Sequence, residues 1–256
     1  MHFHFDLTGR TALVTGASSG LGANFARALA AAGATVVVAA RRVDRLAALV
    51  EEIAAAGGKA HAVAMDVADE RSIREGFAEA EAAVGPINVF VANAGVASES
   101  MTLEQPVSEV DAVLSVNLRG VVLSVQEAAR RMVAAGSADK EDGRIIIIGS
   151  ITADRIFPGA AVYAATKAAV RHLGRSVARE WARKGINVNV IQPGYFRSEM
   201  TAAMMDSPIG EKLVASFPRR RLRDMTDLNA PLLWLASDAS AGITGTVVTV
   251  DDGQSL

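Results

Sequence analysis

The chain of 256 residues has no cysteine, few histidines and aromatic residues, and little excess of charge of either sign. Without cysteine, a disulfide framework and any thiolate metal site are excluded. The four histidines (His2, His4, His61 and His172) show no ligand spacing on a helix, so we expect no bound metal. A formal net charge of −2 gives no electrostatic reason to expect nucleic acid or an anionic membrane as a partner.

The sequence also lacks long hydrophobic segments. No apolar run approaches the length that crosses a bilayer, and residues 1–10 lack the cationic start and apolar core of a signal peptide. We therefore expect a cytoplasmic protein without membrane contact. Hydrophobic residues make up 50% of the chain, enough for one large core, and no shift of composition marks a boundary. The prediction is a single domain over residues 1–256.

Strand-like runs alternate with helical patterns along most of the chain. Residues 11–15 form a short apolar run that ends in a glycine-rich turn at 16–22, and a helical pattern continues to Ala32. Strand, glycine turn and helix are the opening of a dinucleotide-binding βαβ unit. Continuous β-branched runs, as at 35–40, are typical of buried parallel strands.

The same alternation predicts the rest of the fold. Further strands are predicted at 60–65, 87–92, 144–150, 186–191 and 246–250, with helices over 43–56, 69–84, 107–135 and 160–184. The predicted architecture is α/β: a single doubly wound Rossmann-type domain with a central seven-stranded parallel sheet and helices on both faces.

Two segments depart from this regular pattern. The helix predicted over 107–135 is apolar on more than one face, so it needs a second partner besides the sheet, and we predict a homo-oligomer. The segment 195–223 has poor periodicity and several methionines, and it follows the carboxyl end of a strand. An irregular substrate lid is predicted there, as such folds keep binding segments at this edge.

Tyr163 and Lys167 stand four residues apart in an alanine-rich helical run. This spacing places both side chains on one helix face. A nearby ammonium group favours the phenolate, so we expect Lys167 to lower the pKa of Tyr163. Such a phenol could give a proton to a carbonyl oxygen or take one from an alcohol. The alternative is a tyrosine at the edge of the core beside a solvated lysine.

The glycine turn is spaced Gly-x-x-x-Gly-x-Gly, with Gly16, Gly20 and Gly22 at its three positions. Glycines allow the backbone to approach a pyrophosphate, and the amino end of the following helix supplies N–H groups and partial positive charge. A tight structural turn is the alternative interpretation. The position after a strand and before a helix favours the binding role.

Several short motifs stand in one register along the chain. They are Thr15-Gly16-Ala17-Ser18-Ser19-Gly20-Leu21-Gly22, Asp66-Val67, Asn93-Ala94-Gly95, Asn117, Ser150, Tyr163-x-x-x-Lys167 and Pro193-Gly194. In order and spacing the sequence resembles the short-chain dehydrogenase/reductase family over nearly its whole length. The resemblance implies an enzyme that transfers a hydride between a nicotinamide cofactor and a carbonyl or alcohol.

The resemblance also implies a catalytic set. Ser150 would polarise the substrate carbonyl, and Tyr163 would be the general acid or base. Lys167 would lower the pKa of that tyrosine and hold the ribose hydroxyls of the nicotinamide, while Asn117 would anchor a water that links Lys167 to solvent. As alternatives, Ser150 would only cap a helix, and Asn117 would only satisfy backbone groups within its helix.

Cofactor contacts follow from the same resemblance. The implied set is the glycine turn with Gly16, Ser18, Ser19, Gly20, Leu21 and Gly22, then Asp66 and Val67 at the adenine, Asn93, Ala94 and Gly95 beside the adenosine ribose, Pro193, Gly194, Phe196 and Ser198 on the nicotinamide side, and Tyr163 and Lys167. The chain departs from the family pattern at Ala92, where a second asparagine is frequent, and at Asp251-Asp252-Gly253, where Asp-Gly-Gly is common.

The end of the second predicted strand bears on the choice of cofactor. An NAD-preferring site usually carries an acidic residue there, and in this family that position is Ala40. Arg41 follows, whose planar guanidinium suits a 2′-phosphate, and Arg42 adds charge nearby. Ser18 or Ser19 could add a hydroxyl to the same phosphate. We therefore predict NADP(H) over NAD(H), the alternative being two surface arginines that open the next helix.

The predicted reaction is hydride transfer between NADP(H) and a ketone or secondary alcohol of a small molecule. The apolar, methionine-containing lid favours apolar or aromatic-substituted ketones. One alternative is 3-oxoacyl reduction on an acyl carrier protein, for which Arg130, Arg131, Lys184 or the run 219–223 would form a basic docking surface. A nicotinamide-binding regulator without turnover is the other. The family resemblance implies a tetramer, or a dimer, paired through the helices at 107–135 and 160–184.

Overall fold

The computed structural model describes residues 5–97, 100–199 and 201–256, without the side chain of residue 203. His2 and His4, considered above as metal ligands, lie outside the described residues, as does Met200 of the predicted lid. In the described ranges no helix combines the length and the apolar character that crossing a membrane requires.

Seven parallel strands form one sheet, as predicted. They are β1 (Thr11–Thr15), β2 (Thr35–Ala40), β3 (Lys59–Ala64), β4 (Val89–Ala92), β5 (Gly143–Ile148), β6 (Ile186–Pro193) and β7 (Val247–Val250). Their order across the sheet is β3-β2-β1-β4-β5-β6-β7. The central strands are buried on both sides, which explains their continuous apolar sequences.

Helices cover both faces of the sheet. They are α1 (Gly20–Ala31), α2 (Val43–Ala55), α3 (Glu70–Val84), α4 (Val107–Leu114), α5 (Val121–Ala134), α6 (Ser137–Lys140), α7 (Ala161–Trp181), α8 (Ala202–Met205), α9 (Pro208–Ser216) and α10 (Asn229–Ala236). One core packs α1, α2 and α10 against the sheet, and the other packs α3, α5 and α7 against its opposite face. The predicted doubly wound α/β fold is confirmed.

The chain winds away from β1 in one direction across the sheet and returns through β4 in the other. The carboxyl ends of β1 and β4 therefore diverge into loops on opposite faces, which leaves a crevice between them. This switch point is where open α/β sheets bind their ligands. Both the glycine turn after β1 and the Asn93-Ala94-Gly95 segment after β4 lie there.

The helix predicted over 107–135 is interrupted by a π-helical turn at Ser115–Gly120, which joins α4 to α5. Asn117 lies in this turn, fully buried, and its side chain pairs with the backbone of Val96. One extra residue per turn is the usual signature of such a bulge, and it often marks a functional site. The long-range pairing with Val96 explains a feature that helical periodicity does not predict.

The predicted lid is more ordered than its sequence pattern indicated, since it contains α8 and α9. Ser207 begins α9: its Oγ accepts from the Gly210 amide at 3.3 Å, and Pro208 occupies the first turn. A serine cap followed by proline is a strong helix start, so the expectation of an irregular segment is wrong here. Phe196 and Arg223, near the two ends of the lid, form an isolated parallel β-bridge.

Candidate active site

A cleft of about 500 Å³ opens at the switch point. It is bounded by the loops that follow β1 to β6. Every residue predicted to contact cofactor or substrate lines it except Asn117. The lining members are Gly16, Ser18, Ser19, Gly20, Leu21, Gly22, Arg41, Arg42, Asp66, Val67, Asn93, Ala94, Gly95, Ser150, Tyr163, Lys167, Pro193, Gly194, Phe196 and Ser198.

The glycine turn has the shape that a dinucleotide pyrophosphate needs. A Cβ on Gly22 would stand 2.3 Å from the carbonyl oxygen of Gly16, and a Cβ on Gly16 would stand 2.8 Å from Ala94 Cα. The close packing of three backbone segments therefore excludes any side chain at these positions. The first turn of α1 has no acidic residue, and Ser19 makes no side-chain cap. Its amide groups remain suited to an anion.

Thr15, the last residue of β1, joins the two sides of the crevice. Its Oγ1 accepts from the amides of Asn93 at 3.1 Å and Ala94 at 3.2 Å, and it donates to Val91 O at 3.3 Å. The Asn93 side chain donates back to Thr15 O at 2.9 Å. Sequence reasoning did not single out this residue as a site residue. A hydroxyl that ends an otherwise apolar strand is the signal that points to it.

Ser150 follows β5, and its side chain is almost buried. Its Oγ accepts from the Thr152 amide at 3.2 Å and from Thr152 Oγ1 at 3.0 Å. A side-chain hydrogen bond also connects Ser150 with Tyr163. The hydroxyl therefore caps a short 3-10 turn, as one alternative expected, and contacts the phenol as well.

Lys167 is 5% exposed, and its Nζ donates to Ile148 O at 2.9 Å. The same Nζ lies 5.6 Å from the centroid of the Tyr163 ring. The solvated lysine considered as an alternative is thus not the one observed. Burial lowers the pKa of Lys167 to about 8, because removal from water penalises the ammonium form.

Tyr163 differs from the expectation in the direction of its shift. Although part of the ring borders the cleft, burial raises the pKa of Tyr163 to about 12, and the hydrogen bond with Ser150 opposes this rise. The ammonium group of Lys167 is directed toward the carbonyl of Ile148, and it does not outweigh the loss of water around the phenol. In the protein without a bound ligand, Tyr163 therefore retains its proton firmly.

Asn117 supports the site from outside the cleft. Its Oδ1 accepts from the Val96 amide and its Nδ2 donates to Val96 O, both at 2.8 Å. This double contact fixes the loop after β4 at a short distance from Lys167. The alternative expected Asn117 to satisfy backbone groups within its own helix, whereas the observed partner is the backbone of a distant loop.

At the end of β2, the two predicted arginines have different surroundings. The Arg41 side chain is 69% exposed, and its Nη1 lies 3.9 Å from Asp66 Oδ2. Arg42 donates from Nε to Ser18 Oγ at 3.1 Å and from Nη2 to Ser19 Oγ at 2.7 Å. The second arginine is therefore tied to the glycine turn, whereas the first remains available to an anion.

An aromatic group adjoins the site through Tyr195, which interacts electrostatically with Tyr163. Tyr195 contacts the Phe157 ring edge-to-face at 5.3 Å and stacks with Phe217 at 6.1 Å between centroids. The guanidinium of Arg155 lies 5.6 Å from the centroid of Phe157, and its Nη1 is buried without a hydrogen-bond partner among the described residues. Burial raises the pKa of Tyr195, and the charge of Arg155 opposes that rise. Sequence reasoning missed the proximity of Tyr195 and Arg155, because it depends on tertiary contacts.

The arrangement can bind a dinucleotide along the glycine turn and hold a carbonyl oxygen between Ser150 and Tyr163. Within the described residues, no three histidines, aspartates or glutamates come together as potential metal ligands.

Comparison with known proteins extends the description. Residues 10–208 match the sequence profile of the short chain dehydrogenase family. Gluconate 5-dehydrogenase of Gluconobacter oxydans is 35% identical over 97% of this chain and 96% of its own length. A 3-oxoacyl-[acyl-carrier-protein] reductase of Staphylococcus epidermidis is 36% identical over 95% of this chain and 98% of its own.

A solved structure agrees in fold as well as in sequence. Gluconate 5-dehydrogenase from Burkholderia cenocepacia, in complex with NADP and tartrate, superposes with a TM-score of 0.92 at 36% identity. The match covers 98% of this chain and 97% of that one. With the sheet order, the cleft and the matched residues in agreement, the chain belongs to the short-chain dehydrogenase family and is an oxidoreductase of the kind that uses a nicotinamide cofactor.

Proposed function

We propose that the protein transfers a hydride between NADP(H) and a ketone or secondary alcohol of a small molecule. The observation that carries this proposal is the cluster of Ser150, Tyr163 and Lys167 at one end of the 500 Å³ cleft. The phenol and the serine hydroxyl are hydrogen-bonded to each other, and the lysine lies behind them. A carbonyl oxygen placed against both hydroxyls would meet two donors.

The residues around the cleft fit a nicotinamide dinucleotide. The packed backbone at Gly16 and Gly22 leaves room only for a close approach of phosphate groups, and α1 directs its amino end toward them. Asp66, Val67, Pro193 and Gly194 line the same cleft. The first two would contact the adenosine, and the last two would contact the nicotinamide. When bound, the cofactor supplies or accepts the hydride.

The proton moves through this chain's own groups. In the reductive direction Tyr163 donates its phenolic proton to the substrate oxygen, and Ser150 polarises that oxygen by a hydrogen bond. Protonated Lys167 stabilises the phenolate that remains. With a Tyr163 pKa of about 12, the donor form is complete at neutral pH. In the oxidative direction the same phenol must first lose its proton, so we expect that direction to be favoured by alkaline conditions.

The choice of NADP(H) rests on the adenosine end. Ala40 offers no carboxylate to ribose hydroxyls, and Arg41 stands exposed beside the cleft. The NADP bound to the Burkholderia relative agrees with this preference. Replacing Arg41 by alanine should weaken NADPH about ten- to a hundredfold and leave NADH nearly unchanged, since a charge-assisted contact contributes roughly 1.5–3 kcal/mol.

Binding titrations of both cofactors check this prediction. Adding Ala40→Asp to Arg41→Ala should move the preference toward NADH, because the new carboxylate repels a phosphate and accepts from a free ribose. A wild-type protein with a lower Michaelis constant and a higher turnover for NADH than for NADPH would contradict the assignment.

For the substrate, two small-molecule classes fit different observations. The aromatic group of Phe157, Tyr195 and Phe217 favours apolar or aromatic-substituted ketones. The buried, unpartnered Nη1 of Arg155 beside Tyr195 favours a hydroxy acid, whose carboxylate would pair with the guanidinium. The gluconate 5-dehydrogenases among the relatives support this second class.

Carrier-linked 3-oxoacyl substrates find less support. Most of the arginines considered for a docking surface already face carboxylates. Arg131 Nη1 lies 2.6 Å from Glu81, Arg221 Nε lies 2.8 Å from Asp252, and Arg223 pairs with Asp227. An acidic carrier would meet a largely neutralised surface.

A panel assay distinguishes the candidates. We expect NADPH oxidation with an aryl ketone or a 5-oxo sugar acid to exceed that with a carrier-linked 3-oxoacyl thioester. A large preference for the thioester would reverse the ranking. Tight NADPH binding without turnover on any member would instead support a nicotinamide-binding regulator.

A further inference from the structure

Glu199 reaches across the adenosine end of the cleft from the segment that follows β6. Its Oε2 lies 2.9 Å from Arg45 Nη1 and 3.3 Å from Arg42 Nη1. Hydrogen bonding to Ser19, together with the two arginines, lowers the pKa of Glu199. This carboxylate therefore bridges the lid, the glycine turn and the start of α2.

The groups that hold Glu199 overlap with those proposed to bind a 2′-phosphate. Arg42 donates to the hydroxyls of Ser18 and Ser19 as well as to Glu199. Both serine oxygens act as acceptors toward Arg42, so each hydroxyl still has its own proton to donate. Ser19 gives that proton to Glu199, and a phosphate oxygen would compete with the carboxylate for it. The singly charged carboxylate of Glu199 thus binds hydrogen-bond donors that would also suit a phosphate, which carries a larger negative charge.

We propose that Glu199 is a specificity-determining residue, whose carboxylate must leave Arg42 when NADP(H) binds but not when NAD(H) binds. The proposal rests on the proposed NADP(H) function. Arg45 lies in the first turn of α2 and contacts both carboxylate oxygens, at 3.1 and 2.9 Å, so the carboxylate keeps one partner after it leaves Arg42. Glu199 thereby weakens the binding of NADP(H) but not that of NAD(H). It reduces the difference in affinity between the two cofactors.

The test compares Glu199→Gln with Glu211→Gln, which removes the same charge from α9 of the same lid. Calorimetry would measure the binding of NADPH, NADH, and the fragments adenosine 2′,5′-bisphosphate and 5′-AMP. We expect Glu199→Gln to tighten NADPH and the bisphosphate about two- to fivefold, since one exposed ion pair is removed from competition. NADH and 5′-AMP should change less than twofold, and Glu211→Gln should change neither pair.

A second background makes the test specific. In an Arg42→Met protein the competition no longer exists, so adding Glu199→Gln should change bisphosphate binding less than about 1.5-fold. Equal tightening of NADH and NADPH by Glu199→Gln, or no change in either, would overturn the proposal. Failure of the proposed cofactor preference would be seen separately. In that case the wild-type protein would bind NADH better than NADPH, and Arg41→Ala would change neither affinity.

Discussion

At the scale of single residues, Tyr163 is the proposed proton donor. Phenylalanine at this position keeps the ring and its contacts but has no hydroxyl. Turnover of Tyr163→Phe should fall by orders of magnitude while NADPH still binds, because the proton donor is lost and the cofactor contacts remain. Steady-state kinetics with a parallel binding titration measure both effects.

The chain offers a matched control, since it contains only two tyrosines. Tyr195→Phe removes the other hydroxyl, which lies among Phe157 and Phe217, and should keep most of the activity. A Tyr163→Phe protein that retained more than a tenth of wild-type turnover would lose less than about 1.4 kcal/mol of barrier stabilisation, and Tyr163 would not be the proton donor.

The burial of Lys167 affects stability as well as its proposed catalytic role. The lysine has a pKa of about 8 in the folded protein against 10.5 as a free side chain. Below pH 8 the buried ammonium destabilises the fold, and between those two values the unfolded chain binds more protons, so wild-type stability rises with pH. Lowering the pH from 10.5 to 8 therefore lowers the stability of the wild type, because the folded protein must then bury a charged ammonium group.

The stability of Lys167→Met relative to wild type should therefore be highest near pH 7, because methionine carries no buried charge. Its stability relative to wild type should decline by about 2 kcal/mol between pH 8 and 9.5. Urea denaturation at a series of pH values measures this difference. Lys212→Met, at an exposed lysine on α9, serves as control, and an equal pH dependence in that variant would exclude the proposed cause.

At the scale of elements, the β1-turn-α1 unit depends on backbone contact at Gly22. In Gly22→Ala the new methyl would stand 2.3 Å from Gly16 O and 2.6 Å from Asn93 Nδ2, so the backbone must move. We expect a loss of about 1–3 kcal/mol in stability and more than tenfold weaker binding of both cofactors. Thermal unfolding and cofactor titration measure these two effects.

Gly242→Ala is the control, because a Cβ there meets no atom within 4 Å and the residue does not have a positive φ. Its stability should stay within about 0.5 kcal/mol of wild type. If both alanine variants bound cofactor like wild type, the glycine turn would not form the phosphate site.

Elements whose causes are local were largely predictable. The β-branched run at 35–40 coincides with β2, because burial on both faces selects a continuous apolar sequence. The π-helical turn depends on pairing between Asn117 and Val96, which are 21 residues apart, and no periodicity encodes it. The start of α9 was encoded locally, in Ser207 before Pro208, and the weak apolar pattern of the lid concealed it.

The candidate site divides in the same way. Motif residues such as Gly16 and Tyr163 were predictable from spacing and resemblance. The direction of the Tyr163 pKa was not, since it depends on how much water the surrounding chain removes. Glu199 and Arg155 were missed because their partners come from distant segments.

At the scale of the whole molecule, an apolar surface surrounds the start of α4. Leu103 is 93% exposed, Val107 74% and Met101 57%. Large apolar side chains grouped in this way mark interaction sites on proteins. Together with the apolar helix faces noted in the sequence, they support assembly of the chain with copies of itself.

We expect light scattering at micromolar concentration to give a dimer or tetramer of the 26.6 kDa chain. Combining Leu103→Asp with Val107→Asp should shift the population toward monomer, because two charges cannot be buried unpaired. Ile209→Asp, at a similarly exposed position on α9, should leave the assembly intact. A wild-type sample containing only the 26.6 kDa species would refute the prediction.

The bridge between Phe196 and Arg223 has a consequence for how this fold acquires new substrates. Since the two ends of the lid are held side by side, the intervening chain is a loop whose ends are fixed close together. Doubling the length of such a loop adds only about 0.6 kcal/mol to the entropic cost of closing it. We therefore expect that a lid transplanted from a relative would change the accepted substrate, while Ser150 after β5 and Tyr163 on α7 stay in place.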